Sequence, residues 1–401
     1  MKVVIAVASF SHQISGVQRH AINLARCLLT RGEVTAVHLI ASPWQENLIR
    51  DAMPDADARF HLHSAVIGSG TIARNLWYYY ELPVVAAKLA ADIVHLGYPS
   101  PLQRGAFPCP TVVTLHDLYP YDIPENFGFP KVWVNRLILK QCLGAAGAIA
   151  CVSESTRNRL AQIFPHSVAR KASVICNCVE PSSKLEQSLG PSTIRTRLTE
   201  IGAAPFLLCV AQHRRNKNIP LLLRVFHRLH YLGRIPSDMR LVILGIPGPE
   251  TAAIQRFVTD AGISGRVILL SGISEADLHW CYRKCELLIA PSSVEGFGLP
   301  VAEALMAGCR VICSDIPVFR EVGGDRCRYV PLDARAEKAF ADAICSSLAD
   351  QRGTPAVLPQ LSRKTIAAQY LQLYESLSLQ TSKAHLDAVP SIDIKEGRSV
   401  L

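Results

Sequence analysis

A chain of 401 residues exceeds one ordinary domain of about 150 residues and fits two or three, so a single small binding module is excluded. Hydrophobic residues make up 49% and charged residues 19%, with a mean hydropathy of +0.20, which supplies apolar material for sizeable cores and excludes global disorder. Lys and Arg number 42 against 33 Asp and Glu, a surplus of nine that suits nucleic acid, an anionic membrane or a phosphorylated small molecule.

Along the chain, short β-rich runs predict strands at 3–8, 34–41, 93–96, 111–115 and 148–152, then at 206–210, 241–244, 267–270, 287–290 and 311–313. Most are continuously apolar, as strands covered on both faces of a parallel sheet should be. Helical patterns lie between them. The clearest sets Val17, Ala21, Leu24, Ala25, Leu28 and Leu29 on one face between Gly16 and Gly32. This alternation predicts a doubly wound α/β chain. It pauses from about 181 to 205, where SSKLEQSLGPSTIRTRLTEIGAAP is polar and interrupted by Ser, Gly and Pro, so an interdomain linker is expected there. The halves become 1–185 and 186–362. The spacing of Ile366, Tyr370, Leu373 and Leu377 predicts a late amphipathic helix over about 363–380, and 381–401 reads as a loose tail.

The thirteen cysteines include no CxxC pair; the closest are Cys176 with Cys178, Cys281 with Cys285 and Cys309 with Cys313. They read as reduced core thiols. The opening MKVVIAVAS is too short an apolar run for a signal peptide, and no uncharged apolar stretch reaches 18 residues. A cytosolic chain without a membrane span is expected.

Chemistry concentrates in PSSVEGFGLPVAEALMAG, residues 291–308, directly after the apolar run LLIA. Gly296 and Gly298 permit a tight turn and close approach to a ligand, and Pro300 suits the start of a helix. The amides of Phe297, Gly298 and Leu299 then lie near a helix N-terminus, where an anion such as phosphate is favoured. Glu295 and Glu303 flank the loop. A carboxylate accepts two hydrogen bonds from a vicinal diol, so one suits a ribose and the other a sugar. The bland alternative is a glycine turn with Glu303 in solvent.

Between Ile201 and Arg234 stand six basic residues and no acidic one. Arg214, Arg215 and Lys217 lie in QHRRNKN, directly after a predicted strand, where a loop faces the ligand crevice and can carry cations to a diphosphate. Arg224 and Arg228 read as an exposed helix face. His116 ends a first-half strand and can hydrogen-bond a sugar hydroxyl. Gly16 precedes the first long helix and offers backbone amides to the cleft, with Arg19 one turn on.

The element E-G-F-G-L-P-x-x-E resembles the signature of retaining GT-B glycosyltransferases of family four. SGVQRHAINLARCLL, RNLWYYYELP at 74–83, VVTLHD at 112–117, CVSESTRNRL at 151–160, VICN at 174–177 and NKN at 216–218 fit that family in the same order. The resemblance spans about 1–375. It implies two facing Rossmann-like domains with a donor cleft between them, the first on the acceptor side and the second binding a nucleotide diphosphate sugar. The late helix would cross back onto the first. It also implies that Glu295 lies by the donor sugar, Glu303 on the ribose, Lys217 with Arg214 or Arg215 on the diphosphate, and His116 on the sugar. Ser15 stands where the family often pairs glycines, Cys178 replaces the glycine of N-G-V, and Ala211 replaces another.

The expected activity is hexosyl transfer to a glycan or polyprenyl-linked acceptor, in cell-surface polysaccharide synthesis. No cofactor and no metal are expected. RNLWYYYELP resembles a stretch of bacterial mannosyltransferases and favours GDP-mannose as donor. A nucleotide-sugar epimerase, a phosphorylase or an inactive binding subunit of the same fold are the alternatives. Nucleic acid is not expected, because basic residues are not interleaved with aromatics. Peripheral association with the inner face of a membrane is a secondary expectation. Asp55 and Asp57 form a DxD in a polar stretch and are discounted, His61 and His63 lack companions at metal-ligand spacing, and Trp77 to Tyr80 read as a helix packed under the cleft.

Overall fold

The computed structural model describes residues 1–9, 15–53, 57–68, 70–180 and 201–387, with side chains described as far as 379. The first half holds seven strands: β1 (Lys2–Ala6), β2 (Ala36–Ala41), β3 (Phe60–Ser64), β4 (Ile93–Leu96), β5 (Thr111–Leu115), β6 (Ala148–Cys151) and β7 (Ala172–Val174). They form one parallel sheet in the order β3-β2-β1-β4-β5-β6-β7. The second half holds β8 (Phe206–Val210), β9 (Arg240–Leu244), β10 (Val267–Leu270), β11 (Leu287–Ala290), β12 (Val311–Ser314) and β13 (Cys327–Val330). Its order is β10-β9-β8-β11-β12-β13, again parallel throughout.

The ten expected strands are all present. The three not foreseen, β3, β7 and β13, lie at sheet edges. An edge strand needs no continuous apolar run, and FHLHS in β3 shows none.

Each sheet separates two apolar layers. On one face of the first sheet, the helix Gly16–Leu29 packs with the late helix Arg363–Asp387, whose Ile366, Tyr370 and Leu377 are buried as their spacing implies. That helix runs past the end expected near 380; the linker residues 181–200 and the tail 388–401 lie outside the described residues. The opposite face is covered by the continuous helical stretch 71–88 and by the helix Lys131–Ala145. All thirteen cysteines are free thiols, most of them buried. No helix among the described residues is long and apolar enough to cross a membrane.

A buried polar chain fastens the late helix to the first half. The distances are 2.6 Å from Tyr374 Oη to His95 Nδ1, 2.7 Å from His95 Nε2 to Thr114 Oγ1, 3.2 Å from Thr114 Oγ1 to His20 Nε2, and 2.6 Å from His20 Nδ1 to Asn177 Oδ1. An amide oxygen only accepts, so His20 donates from Nδ1 and its Nε2 accepts from Thr114. Thr114 then accepts from His95 Nε2–H, and Tyr374 donates to His95 Nδ1. Every buried polar atom in the series is satisfied with both histidines neutral.

Candidate active site

In open parallel sheets ligands bind beyond the carboxyl ends of the strands, where the strand order reverses. In the second sheet that point lies between β8 and β11. The loop after β8 carries Arg214, Arg215 and Lys217; the loop after β11 carries Glu295 to Gly298.

These loops meet through charge. Lys217 Nζ lies 2.6 Å from Glu295 Oε1 and 2.7 Å from Oε2, and both side chains are largely enclosed, at 18% and 10% exposure. Asn218, at φ 51°, turns the chain left-handed into the helix Ile219–Tyr231, a conformation that Asn tolerates. Buried Asn216 joins the loops: its Nδ2 donates to Val294 O (3.1 Å) and its carbonyl accepts from Ser293 N (2.8 Å).

The first half closes over this pair. Tyr119 Oη donates to Glu295 Oε2 at 3.3 Å and accepts from Asn216 Nδ2 at 3.2 Å. Gly296 lies against the main chain of His116, where an added Cβ would meet His116 O at 1.7 Å. Ser153 Oγ and Thr156 Oγ1 donate to Gly296 O at 2.6 and 3.2 Å. Gly298 has φ 96° and faces Phe319 with no room for a Cβ, so glycine is required twice over. It precedes the helix Leu299–Met306, in which Pro300 takes the second position. Among the described residues the amides of Phe297, Gly298 and Leu299 have no acceptor.

Glu303 lies one turn further. Its Oε1 is 3.2 Å from Arg19 Nη1 of the first half, and its Oε2 accepts from Tyr282 Oη at 2.8 Å. Glu275 Oε1 is 3.8 Å from Arg19 Nε. Gly16 stands at the first position of the helix that presents Arg19. A cavity of about 110 Å³ opens beside this contact, walled by Arg19, Asn23, Leu278, Tyr282, Glu303 and Arg363.

His116 donates Nε2–H to Gly97 O at 2.8 Å, which leaves Nδ1 as an acceptor. Burial lowers its pKa to about 4, so it is neutral at pH 7. Asp117 is pushed up to about 6 by burial, opposed by Arg214 and Lys217. Arg214 is half-buried and near enough to favour the Asp117 carboxylate, whereas Arg215 is exposed. Arg224 and Arg228 pair with Glu337 at 3.3 and 3.6 Å on the outer surface, as expected.

Tyr119 and Tyr282 are contributors that motif reading missed, and Asn216 stands in the NKN stretch without a role assigned to it. Tyr119 opens the short helix Tyr119–Asp122 two residues after HD, a detectable position; Tyr282 sits in a longer helix and carries no local signal. Cys178 and Ala211 both keep ordinary negative φ, so the loss of glycine strains neither. Asp57 is paired with Arg59 at 2.7 Å, and Asp55 lies outside the described residues. His61 and His63 lie beside a third histidine that is distant in sequence. The β2–β3 register brings His38 within 3.0 Å of His63 and stacks it on His61. Among the described residues no group of three His, Cys, Asp or Glu is arranged to hold a metal ion. Trp77 and Tyr78 are buried, with Tyr78 Oη donating to Ala8 O at 3.1 Å, while Tyr80 is exposed.

The family model described as Glycosyltransferase Family 4 matches residues 14–183, and that described as Glycosyl transferases group 1 matches 192–366. The chain is a GT-B glycosyltransferase of family four. This glycosyltransferase is 23% identical over 334 residues to O-antigen chain mannosyltransferase B of Escherichia coli, covering 81% of this chain and 85% of that one. It is 29% identical over 233 residues to the O-antigen chain mannosyltransferase RfbU of Salmonella typhimurium strain LT2, covering 58% of this chain and 59% of that one. In fold it resembles Anabaena Alr3699/HepE, solved in complex with UDP-glucose, with a TM-score of 0.66 at 17% identity over 96% of this chain and all of that one.

Proposed function

We propose that this glycosyltransferase is a retaining, metal-independent hexosyltransferase. It moves a hexosyl unit from a nucleotide diphosphate sugar to a glycan or polyprenyl-linked acceptor, at the cytoplasmic face of a membrane, in cell-surface polysaccharide synthesis. The Lys217–Glu295 pair at the strand-order reversal carries the reading, beside three amides without acceptors at a helix N-terminus. The two O-antigen mannosyltransferases among its relatives support the setting and favour a mannosyl donor, with GDP-mannose first.

Both glutamates are held by cations in this closed form, which offsets the cost of enclosing their charge. A donor exchanges those partners. Its ribose hydroxyls donate to Glu303 in place of Arg19. Its diphosphate takes Lys217 Nζ, the Arg214 guanidinium and the amides of Phe297, Gly298 and Leu299, which stabilise the charge that grows on the departing nucleotide diphosphate. Lys217 and Arg214 supply the cationic charge that such a leaving group demands, so a metal is not required of the site. Glu295, released from Lys217, accepts from the sugar hydroxyls, and neutral His116 accepts through Nδ1. The acceptor hydroxyl attacks on the face the diphosphate leaves, and a phosphate oxygen takes its proton.

Product analysis tests this reading. Incubation with GDP-mannose and acceptor should release GDP only when acceptor is present and should preserve the anomeric configuration. Inversion, or a C2-epimerised nucleotide sugar, would overturn it.

A further inference from the structure

The stretch CVSESTRNRL, residues 151–160, runs from the end of β6 into the helix Glu154–Ile163, and none of its side chains is among the donor contacts above. Ser153 caps that helix. Its Oγ accepts from Thr156 N at 3.0 Å, and both side chains are buried. The helix is docked on the second half, because Glu154 N and Ser155 N donate to the two carboxylate oxygens of Glu321 at 2.8 and 3.3 Å. From that position it sends two hydroxyls to one acceptor: Ser153 Oγ and Thr156 Oγ1 donate to Gly296 O at 2.6 and 3.2 Å. A carbonyl oxygen has two lone pairs, and these donors occupy both.

The residue at 296 explains why two donors are needed. The approach of His116 O leaves no room for a Cβ there, so glycine is obligatory, yet glycine also leaves the peptide that follows it the most freedom to rotate. The backbone alone therefore does not fix where the next N–H points. The two hydroxyls fix it instead. The Gly296–Phe297 peptide is planar and trans, so its N–H lies antiparallel to its C=O. Holding the carbonyl on Ser153 and Thr156 turns the Phe297 N–H to the opposite side. Phe297 N is the first of the three successive amides that have no acceptor among the described residues.

Resting on the reading that these amides take the donor diphosphate, we propose that Ser153 and Thr156 are positioning residues: by fixing the Gly296 carbonyl they aim the Phe297 amide at the diphosphate. A phosphate site carried by the second half is thereby completed by two hydroxyls of the first. Diphosphate binding and closure of the halves are then coupled through one peptide group.

The test is a nuclear magnetic resonance titration of the full chain, isotope-labelled at the phenylalanine nitrogens, with GDP and with UDP. The Phe297 amide signal is the one missing from Phe297→Leu. The tighter-binding nucleotide should shift that signal in the wild type. Thr156→Val keeps the side-chain shape and removes the hydroxyl, so the shift should shrink and the nucleotide should bind about three- to tenfold more weakly, the range for one lost hydrogen bond. Thr156→Ser, which restores the donor, should recover both. Ser153→Ala should act in the same direction and also lower the melting temperature, since it removes the helix cap. A merely structural role for the hydroxyls would move the melting temperature and leave the Phe297 signal as it is. A shift of wild-type size in both Thr156→Val and Ser153→Ala would overturn the proposal while the donor reading stands. Nucleotide binding with no Phe297 shift in the wild type, or no binding of either nucleotide, would overturn the amide assignment and the proposal together.

Discussion

Gly296 and the carbonyl of His116 meet across the cleft so closely that a Cβ on residue 296 would lie 1.7 Å from that oxygen. This contact sets the distance between the halves, and the hydroxyls of Ser153 and Thr156 hold the Gly296 carbonyl from the same side. Gly296→Ala must therefore push the halves apart or shift the 291–298 loop. Misplacing reacting groups by about 1 Å costs on the order of 100-fold. The expected outcome is a kcat/KM loss of about that size with each half still folded, measured by steady-state kinetics beside circular dichroism.

Arg19 occupies Glu303, the carboxylate that the proposed donor ribose would take. Its side chain is about a quarter exposed, so the ion pair is worth at most ~1 kcal/mol. Arg19→Met should tighten donor binding by up to about fivefold, whereas Glu303→Ala should weaken it, both read by calorimetric titration. Weaker binding in Arg19→Met would show instead that Arg19 itself contacts the donor.

Tyr119 spans Glu295 and Asn216 with one hydroxyl. Tyr119→Phe leaves the ring and removes two hydrogen bonds of about 1 kcal/mol each. A three- to tenfold loss in kcat/KM is expected.

Stability should fall in acid. Burial lowers His95 to about 3 and His116 to about 4, below the unfolded value of about 6.5. The unfolded chain therefore takes up those protons first, and stability is lost as pH falls through 6.5 toward the folded values, by about 1.4 kcal/mol per pH unit for each histidine. Asp117, raised to about 6, acts in the opposite sense: its share of stability declines as pH rises from about 4 to 6. Urea unfolding at pH 7, 6 and 5 should show a net loss, with a slope reduced by about one proton in His95→Asn. A flat profile would show that the histidines titrate normally.

The central strands and the glycine loop were legible because their causes are local: β11 is an apolar run of four, and Gly296 and Gly298 mark a turn in any context. The edge strand β3 was not, because its pairing with β2 rather than its composition makes it a strand. The same register hid His38 from a reading that sought companions for His61 and His63 along the sequence. Lys217 and Glu295, 78 positions apart, were placed in one cleft by the rule that strand-end loops converge. Which of the adjacent Arg214 and Arg215 is the more enclosed needed coordinates, since Arg214 is half-buried and Arg215 exposed.

Donor turnover in Lys217→Ala and Glu303→Ala tests the central claim most directly, measured as acceptor-dependent release of nucleotide diphosphate from purified protein with an unchanged melting temperature. Removing one preorganised electrostatic contact to a transition state costs about 100- to 1,000-fold. A loss of that order in Lys217→Ala, with a raised donor KM in Glu303→Ala, is the expected result. Wild-type turnover in both variants would contradict the assignment of this cleft as the donor site.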